Sequence, residues 1–166
     1  SRARNAARWA RECALQRHDI DVDEVTVAAL LHEAAEILFW CFAPVCMLKV
    51  QTLRQENPSM RSAQAQEAVL GVNVTDVQLA LVHAWRLPQL LVTLLSDGES
   101  ENPRVRNVLF AANLARHAAN GWDDPALPDD YAAISELLRL KRSVVMQRIG
   151  VPDDYWLAVA EQELDK

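Results

Sequence analysis

The sequence predicts an all-α protein, and three observations carry that prediction. Apolar residues recur at three- and four-residue spacing along almost the whole 166-residue chain, which is the period of a helix with one buried side. No stretch shows sustained two-residue alternation between hairpin turns, so strands are not expected. Pro103, Pro125, Pro128 and Pro152 all fall where a helix should begin or a loop should turn. The hydrophobic fraction of 51% and charged fraction of 24% are those of a globular chain. Its length suits one helical domain over residues 1–166 with a substantial core.

A first helix is predicted over about residues 2–17, with Ala6, Trp9, Ala10, Cys13 and Leu15 inward. After the loop His18–Asp21, Asp23 can cap a second helix running to about Phe42, because its carboxylate can accept from the free amides of the first turn. Pro44 resets the path, and a third helix over residues 45–55 ends at Asn57-Pro58-Ser59. A fourth helix closes at Leu70 with Gly71 as its C-cap. Asn73 or Thr75 opens a fifth that reaches Trp85, and Pro88 starts a short sixth ending near Leu95. Residues 96–103 are the most polar stretch and read as an exposed loop. A seventh helix runs to about Asn120. Beyond the Pro- and Asp-rich connector 121–129, residues 131–140, 143–149 and 154–163 give three more helical pieces, a helical extension over 121–166.

The charge balance narrows the function classes. A net charge of −6 repels phosphate backbones and anionic lipid, so neither nucleic acid nor membrane is an expected partner. The charge is uneven: Arg2, Arg4, Arg8, Arg11 and Arg17 face only Glu12 in residues 1–17, whereas residues 123–166 hold ten acids and five bases. That pattern is either two solvated faces or charge-steered docking to a partner or another copy. No basic-then-apolar leader is visible, and His32, Glu33 and Glu36 interrupt the longest apolar stretch, so a cytoplasmic location is expected. Cys13, Cys41 and Cys46 lie inside apolar helical patterns and read as reduced core residues.

The second helix is apolar nearly all round and should be central to the core, which makes its polar residues informative. His32, Glu33 and Glu36 occupy relative positions 0, 1 and 4, gathered on one side of a continuous helix. A buried cluster of that kind must be hydrogen-bonded or functional. A damaged zinc-protease helix would also begin His-Glu, but its second ligand position holds Glu36 and no third ligand is evident. A half-buried network closing a pocket fits better. His18-Asp19 reads as a surface pair, His83 as packed or superficial, and His117 as favouring a helix C-terminus. Trp9, Trp40, Trp85, Trp122 and Trp156 read as packing residues. Phosphate-cradling loops and nucleophile elbows are absent from the sequence, which holds four glycines.

The run Ala28-Ala29-Leu30-Leu31-His32-Glu33-Ala34-Ala35-Glu36-Ile37-Leu38 resembles the helix that carries the His-Asp pair in HD-domain proteins, typically Leu-Leu-His-Asp-Ile-Gly. Glu67-Ala68-Val69-Leu70-Gly71-Val72, followed by Ala84-Trp85-Arg86-Leu87-Pro88, is similar to the signature of HD-related output domains (HDOD), in which a Gly-rich helix ends in Trp-x-Leu-Pro. Val105 to Arg116, with Ala111-Ala112-Asn113-Leu114-Ala115, resembles the later helix that supplies an aspartate ligand in catalytic HD enzymes. The resemblance spans about residues 3–120 and implies a single HD/HDOD-type helical bundle.

The departures bear on chemistry. At the positions matching HD metal ligands the chain has Asn5, His32-Glu33 and Asn113, so only His32 is kept. Asparagine brings neither charge nor a strong nitrogen donor to a divalent metal. Val74 stands where the family often has a His, Ser96-Asp97-Gly98 where it often has a His-His pair, and Gln78 where a glycine is common, which would close space over the old site. The resemblance implies a non-catalytic regulatory or protein-interaction module of bacterial signal transduction. Its partner would be a protein or another copy; no catalytic residue, cofactor or metal is expected. Asn5, His32, Glu33, Glu36 and Asn113 would then form a relict polar cluster. The alternatives are a divergent metal-dependent phosphohydrolase using His32, Glu33 and Glu36, and a sensor binding a nucleotide or anion in the relict pocket.

Overall fold

A computed structural model describes residues 2–87, 89–96 and 101–164. Pro88, expected to open the sixth helix, and Asp97 and Gly98, two of the three residues standing at the family's His-His position, lie outside the described residues. The described residues form eleven helices and no strand: α1 (Arg2–Ala14), α2 (Val22–Leu31), α3 (Ala34–Phe42), α4 (Pro44–Glu56), α5 (Ser62–Leu70), α6 (Val74–Ala84), α7 (Gln89–Ser96), α8 (Pro103–Ala118), α9 (Leu127–Leu138), α10 (Arg142–Ile149) and α11 (Asp153–Leu164). The all-α prediction holds. By contacts between backbone positions the chain divides into two compact units, Ser1–His32 with Asp97–Lys166, and Glu33–Ser96.

In the first unit, α1 packs on α8 and α2, α2 packs on α8, and α8 packs on α9. The sequence reason is the alanine content of the contact faces: Ala6, Ala10 and Ala14 on α1, Ala28 and Ala29 on α2, and Ala111, Ala112 and Ala115 on α8 are all buried. Small side chains let the helices approach closely. Larger anchors complete the core: Val25, Val105, Val108, Leu114, Leu127 and Ile134, each almost fully buried. Trp9 is 2% exposed. Its indole N–H donates to the Ile149 carbonyl at 3.0 Å, and its ring meets Trp122 at 6.4 Å between centroids. One buried side chain thereby ties α1 to α10, 140 residues away.

Two boundaries here differ from expectation. α1 stops at Ala14, and Leu15, expected to point inward, is 49% exposed. The cap of α2 is Asp21 rather than Asp23: an Asp21 carboxylate oxygen accepts from the Glu24 amide at 2.9 Å. Asp23 and Glu24 then fall in the first turn, where their charge suits the positive end of the helix dipole.

The second unit buries fewer large side chains among the described residues. α3 packs on α4 and α6, α4 on α5, and α6 on α7. Among the described side chains its buried apolar residues are Ala34, Ala35, Met47, Val50, Ala65, Val82, Leu91 and Leu94. Asn73 caps α6 by accepting from Thr75 and Asp76, and Gly71 ends α5 at φ +71°, a backbone that glycine adopts without strain.

The expected second helix, continuous to Phe42 and central to the core, is corrected on both counts. The helix breaks at His32–Glu33. Its latter part, α3, buries only Ala34 and Ala35 and leaves Ile37, Trp40 and Phe42 exposed. Trp85 and Cys41 are also exposed, so core packing describes Trp9 and Cys13 but not these. Burial pushes the Cys13 thiol up to about 12, which keeps it protonated. By length and hydropathy alone, Val22–Phe42 taken as one helix would suffice to cross a membrane, a test that soluble core helices also pass.

Candidate functional site

His32 is the C-cap of α2, at the end of an apolar helix whose buried face is Val25, Ala28 and Ala29. Its Nδ1 is buried and has no hydrogen-bond partner. Burial pushes the imidazole pKa below its ordinary value, and the Arg116 guanidinium pushes in the same direction. Arg116 is held in place by Asn113, whose Oδ1 accepts from Nη2 at 2.8 Å, one helical turn back on α8. Two of the five cluster residues, His32 and Asn113, are therefore linked through a third that the sequence reading did not single out. The spacing of three made the Asn113–Arg116 bond legible, but nothing in the sequence tied Arg116 to His32.

Asn5 lies on the exposed side of α1 and makes no side-chain hydrogen bond among the described residues. Glu33 and Glu36 belong to the second unit. Glu33 is the N-cap of α3, with φ −112° and no side-chain capping bond. An oxygen of Glu36 accepts from Gln66 Nε2 on α5 at 3.2 Å. The one-sided stripe His32-Glu33-Glu36 required an unbroken helix, so the break removes the helical geometry on which it rested.

Gln78 supplies the chemistry of that break. It is 5% exposed, and its Oε1 accepts from the Ala35 amide at 2.7 Å. Ala35 is the second residue of α3, and its amide has no partner within the helix. The glutamine does the work of a capping side chain from α6. A glycine there would leave the amide bare.

A divalent metal does not fit these residues. The unpartnered Nδ1 of His32 is a competent nitrogen donor, but the nearby Arg116 charge opposes a second cation, and the Asn113 oxygen is already used by Arg116. Among the described residues, no three His, Cys, Asp or Glu side chains gather as a ligand set.

The other histidines are placed as follows. His18 and His83 are exposed, and Asp19 is engaged by Arg17 at 2.6 Å. His117 does more than sit at a helix end: its Nδ1 lies 2.6 Å from an Asp130 oxygen, joining α8 to α9. Asp130 is raised above the usual carboxylate value by burial, against the lowering effect of His117. Nothing in the sequence spacing of 117 and 130 announced that pair.

The family model of the HDOD domain matches residues 1–99, more than half of the chain. The chain belongs to the HDOD family. The matched HDOD region takes in α1 to α7 and therefore His32, Glu33, Glu36 and Gln78, but ends before Asn113 and Arg116. HDOD domains are degenerate relatives of HD domains in which catalysis is generally absent. No curated protein and no solved structure matches the chain.

Proposed function

We propose that this HDOD domain is a non-catalytic regulatory module of bacterial signal transduction that works by binding a protein. The observation that carries the reading is the Asn113–Arg116 hydrogen bond, which takes up the Asn113 oxygen at the position matching an HD aspartate ligand. The exposed Arg116 guanidinium adds positive charge felt at the one retained ligand position, which disfavours the metal that HD chemistry needs to activate water. Asn113 brings no charge to offset it. Binding is supported by the apolar residues that the second unit leaves in solvent: Phe42 at 83%, Val45 at 64% and Leu48 at 54% exposed, with Ile37 and Trp40 beside them in sequence. Exposed apolar surface of this kind marks interaction sites in soluble proteins.

The experiment is hydrolysis of generic phosphomonoester and phosphodiester substrates by the purified chain with added Mn2+ or Mg2+. The expected rate equals that of His32→Ala and of buffer. A metal-dependent rate lost in His32→Ala would overturn the non-catalytic reading and favour a divergent phosphohydrolase.

A further inference from the structure

The outer side of α1 is a row of arginines. Arg4, Arg8 and Arg11 are exposed at spacings of four and three, while Ala6, Ala7, Trp9, Ala10 and Cys13 occupy the inner side. Among the described residues none of the three forms an ion pair. Leu15, one turn beyond Arg11, is also exposed.

The counterpart lies on α11. That helix has no buried residue, and it packs on α10. Two of its acids are committed: Glu163 accepts from the Ser143 hydroxyl and the Arg142 amide on α10, and Asp153 accepts from the Trp156 indole within α11. Asp154 and Glu161 remain exposed and outside any ion pair among the described residues, with exposed Leu157 between them. Arg4 and Arg11 are seven residues apart, and so are Asp154 and Glu161. At the helical rise each pair spans about 10.5 Å, two turns on one face. The two rows match in length and oppose in charge.

We propose that the Arg4–Arg8–Arg11 row of one copy docks on the Asp154–Glu161 face of α11 in a second copy. Both rows belong to every copy, so the contact either closes reciprocally into a two-fold pair or continues head-to-tail into short chains. Exposed ion pairs contribute little each, so the association is weak, with a dissociation constant on the order of 0.1–1 mM. Salt weakens it, because the charges that meet are screened within about 3 Å at 1 M ionic strength.

Sedimentation equilibrium of the whole chain at up to about 1 mM tests this, since a contact of this strength populates only at such concentrations. In 0.1 M NaCl the average mass should rise steadily with concentration, and 1 M NaCl should weaken association at least about tenfold. The double variants Arg4→Glu/Arg11→Glu and Asp154→Arg/Glu161→Arg should each be monomeric with unchanged circular dichroism. Mixing the two, or combining all four substitutions in one chain, should restore association. A monomer at every concentration overturns the proposal, as does association indifferent to salt. Loss in the arginine variant without rescue in the four-fold variant also overturns it, and assigns the arginine row to a different acidic partner.

Discussion

The two compact units use similar helical, apolar sequence to opposite ends. In the first, alanine-lined faces of α1, α2 and α8 close around Trp9, Val105, Val108 and Leu114, and the large apolar side chains are mostly inside. In the second, α3 and α4 contribute Ala34, Ala35, Met47 and Val50 to the interior and leave Ile37, Trp40, Phe42, Val45 and Leu48 in solvent. Apolar content does not by itself locate a core. What separates the units is whether a neighbouring helix presents small residues that let the large ones be covered.

The comparison breaks most easily at single side chains. Leu114→Ala, at a fully buried position, should lower unfolding free energy by about 3–5 kcal/mol in a urea titration. Phe42→Ser, with no burial to lose, should change it by less than about 0.5 kcal/mol. Equal losses from both would mean that the α3 surface is structural.

Removing the cap on α3 comes next in size. Gln78→Leu keeps the volume but strands the Ala35 amide, and should cost about 1–3 kcal/mol, with faster hydrogen exchange at Ala35. Gln78→Glu, which keeps an acceptor oxygen, should retain the protection.

The imidazole of His32 gives a pH signature. Its folded pKa is depressed by burial and by Arg116, so the unfolded chain binds the proton more readily. The neutral ring therefore contributes stability above its ordinary value of 6.5, and that contribution is lost as pH falls through the lower folded value. Stability should decline as pH falls below 6.5, and His32→Gln should flatten that slope. An NMR titration showing His32 ionising above 6.5 would reverse the sign.

The smallest expected effect is a gain. Arg139 ends α9 in the left-handed region at φ +53°, where a side chain is strained. Arg139→Gly should add about 0.5–1 kcal/mol. No change in the thermal midpoint would show that the arginine is compensated there.

Much of this was legible in the sequence, for identifiable reasons. The helical period, Gly71 and Asn73 fixed the boundaries around α5 and α6, because caps and left-handed glycines act locally. The inner side of α1 followed from period alone as far as Cys13, and failed at Leu15, which lies past the end of the helix. The break at His32–Glu33 did not, because the capping oxygen of Gln78 comes from 43 residues away. The same distance problem hid the exposure of α3: periodicity shows which residues are apolar, not whether another helix arrives to cover them. Within the cluster, His32 stood out as a polar residue in an apolar run and Asn113 only through the resemblance to HD proteins, whereas Arg116 acquired meaning only once α8 lay against α2.

The most direct test of the account is the metal content of the purified chain, measured by mass spectrometry after dialysis against Mn2+, Fe2+ and Zn2+. With amides in place of carboxylate and imidazole, bound metal should stay far below one ion per chain. One tightly held ion per chain, lost in His32→Ala, would contradict it.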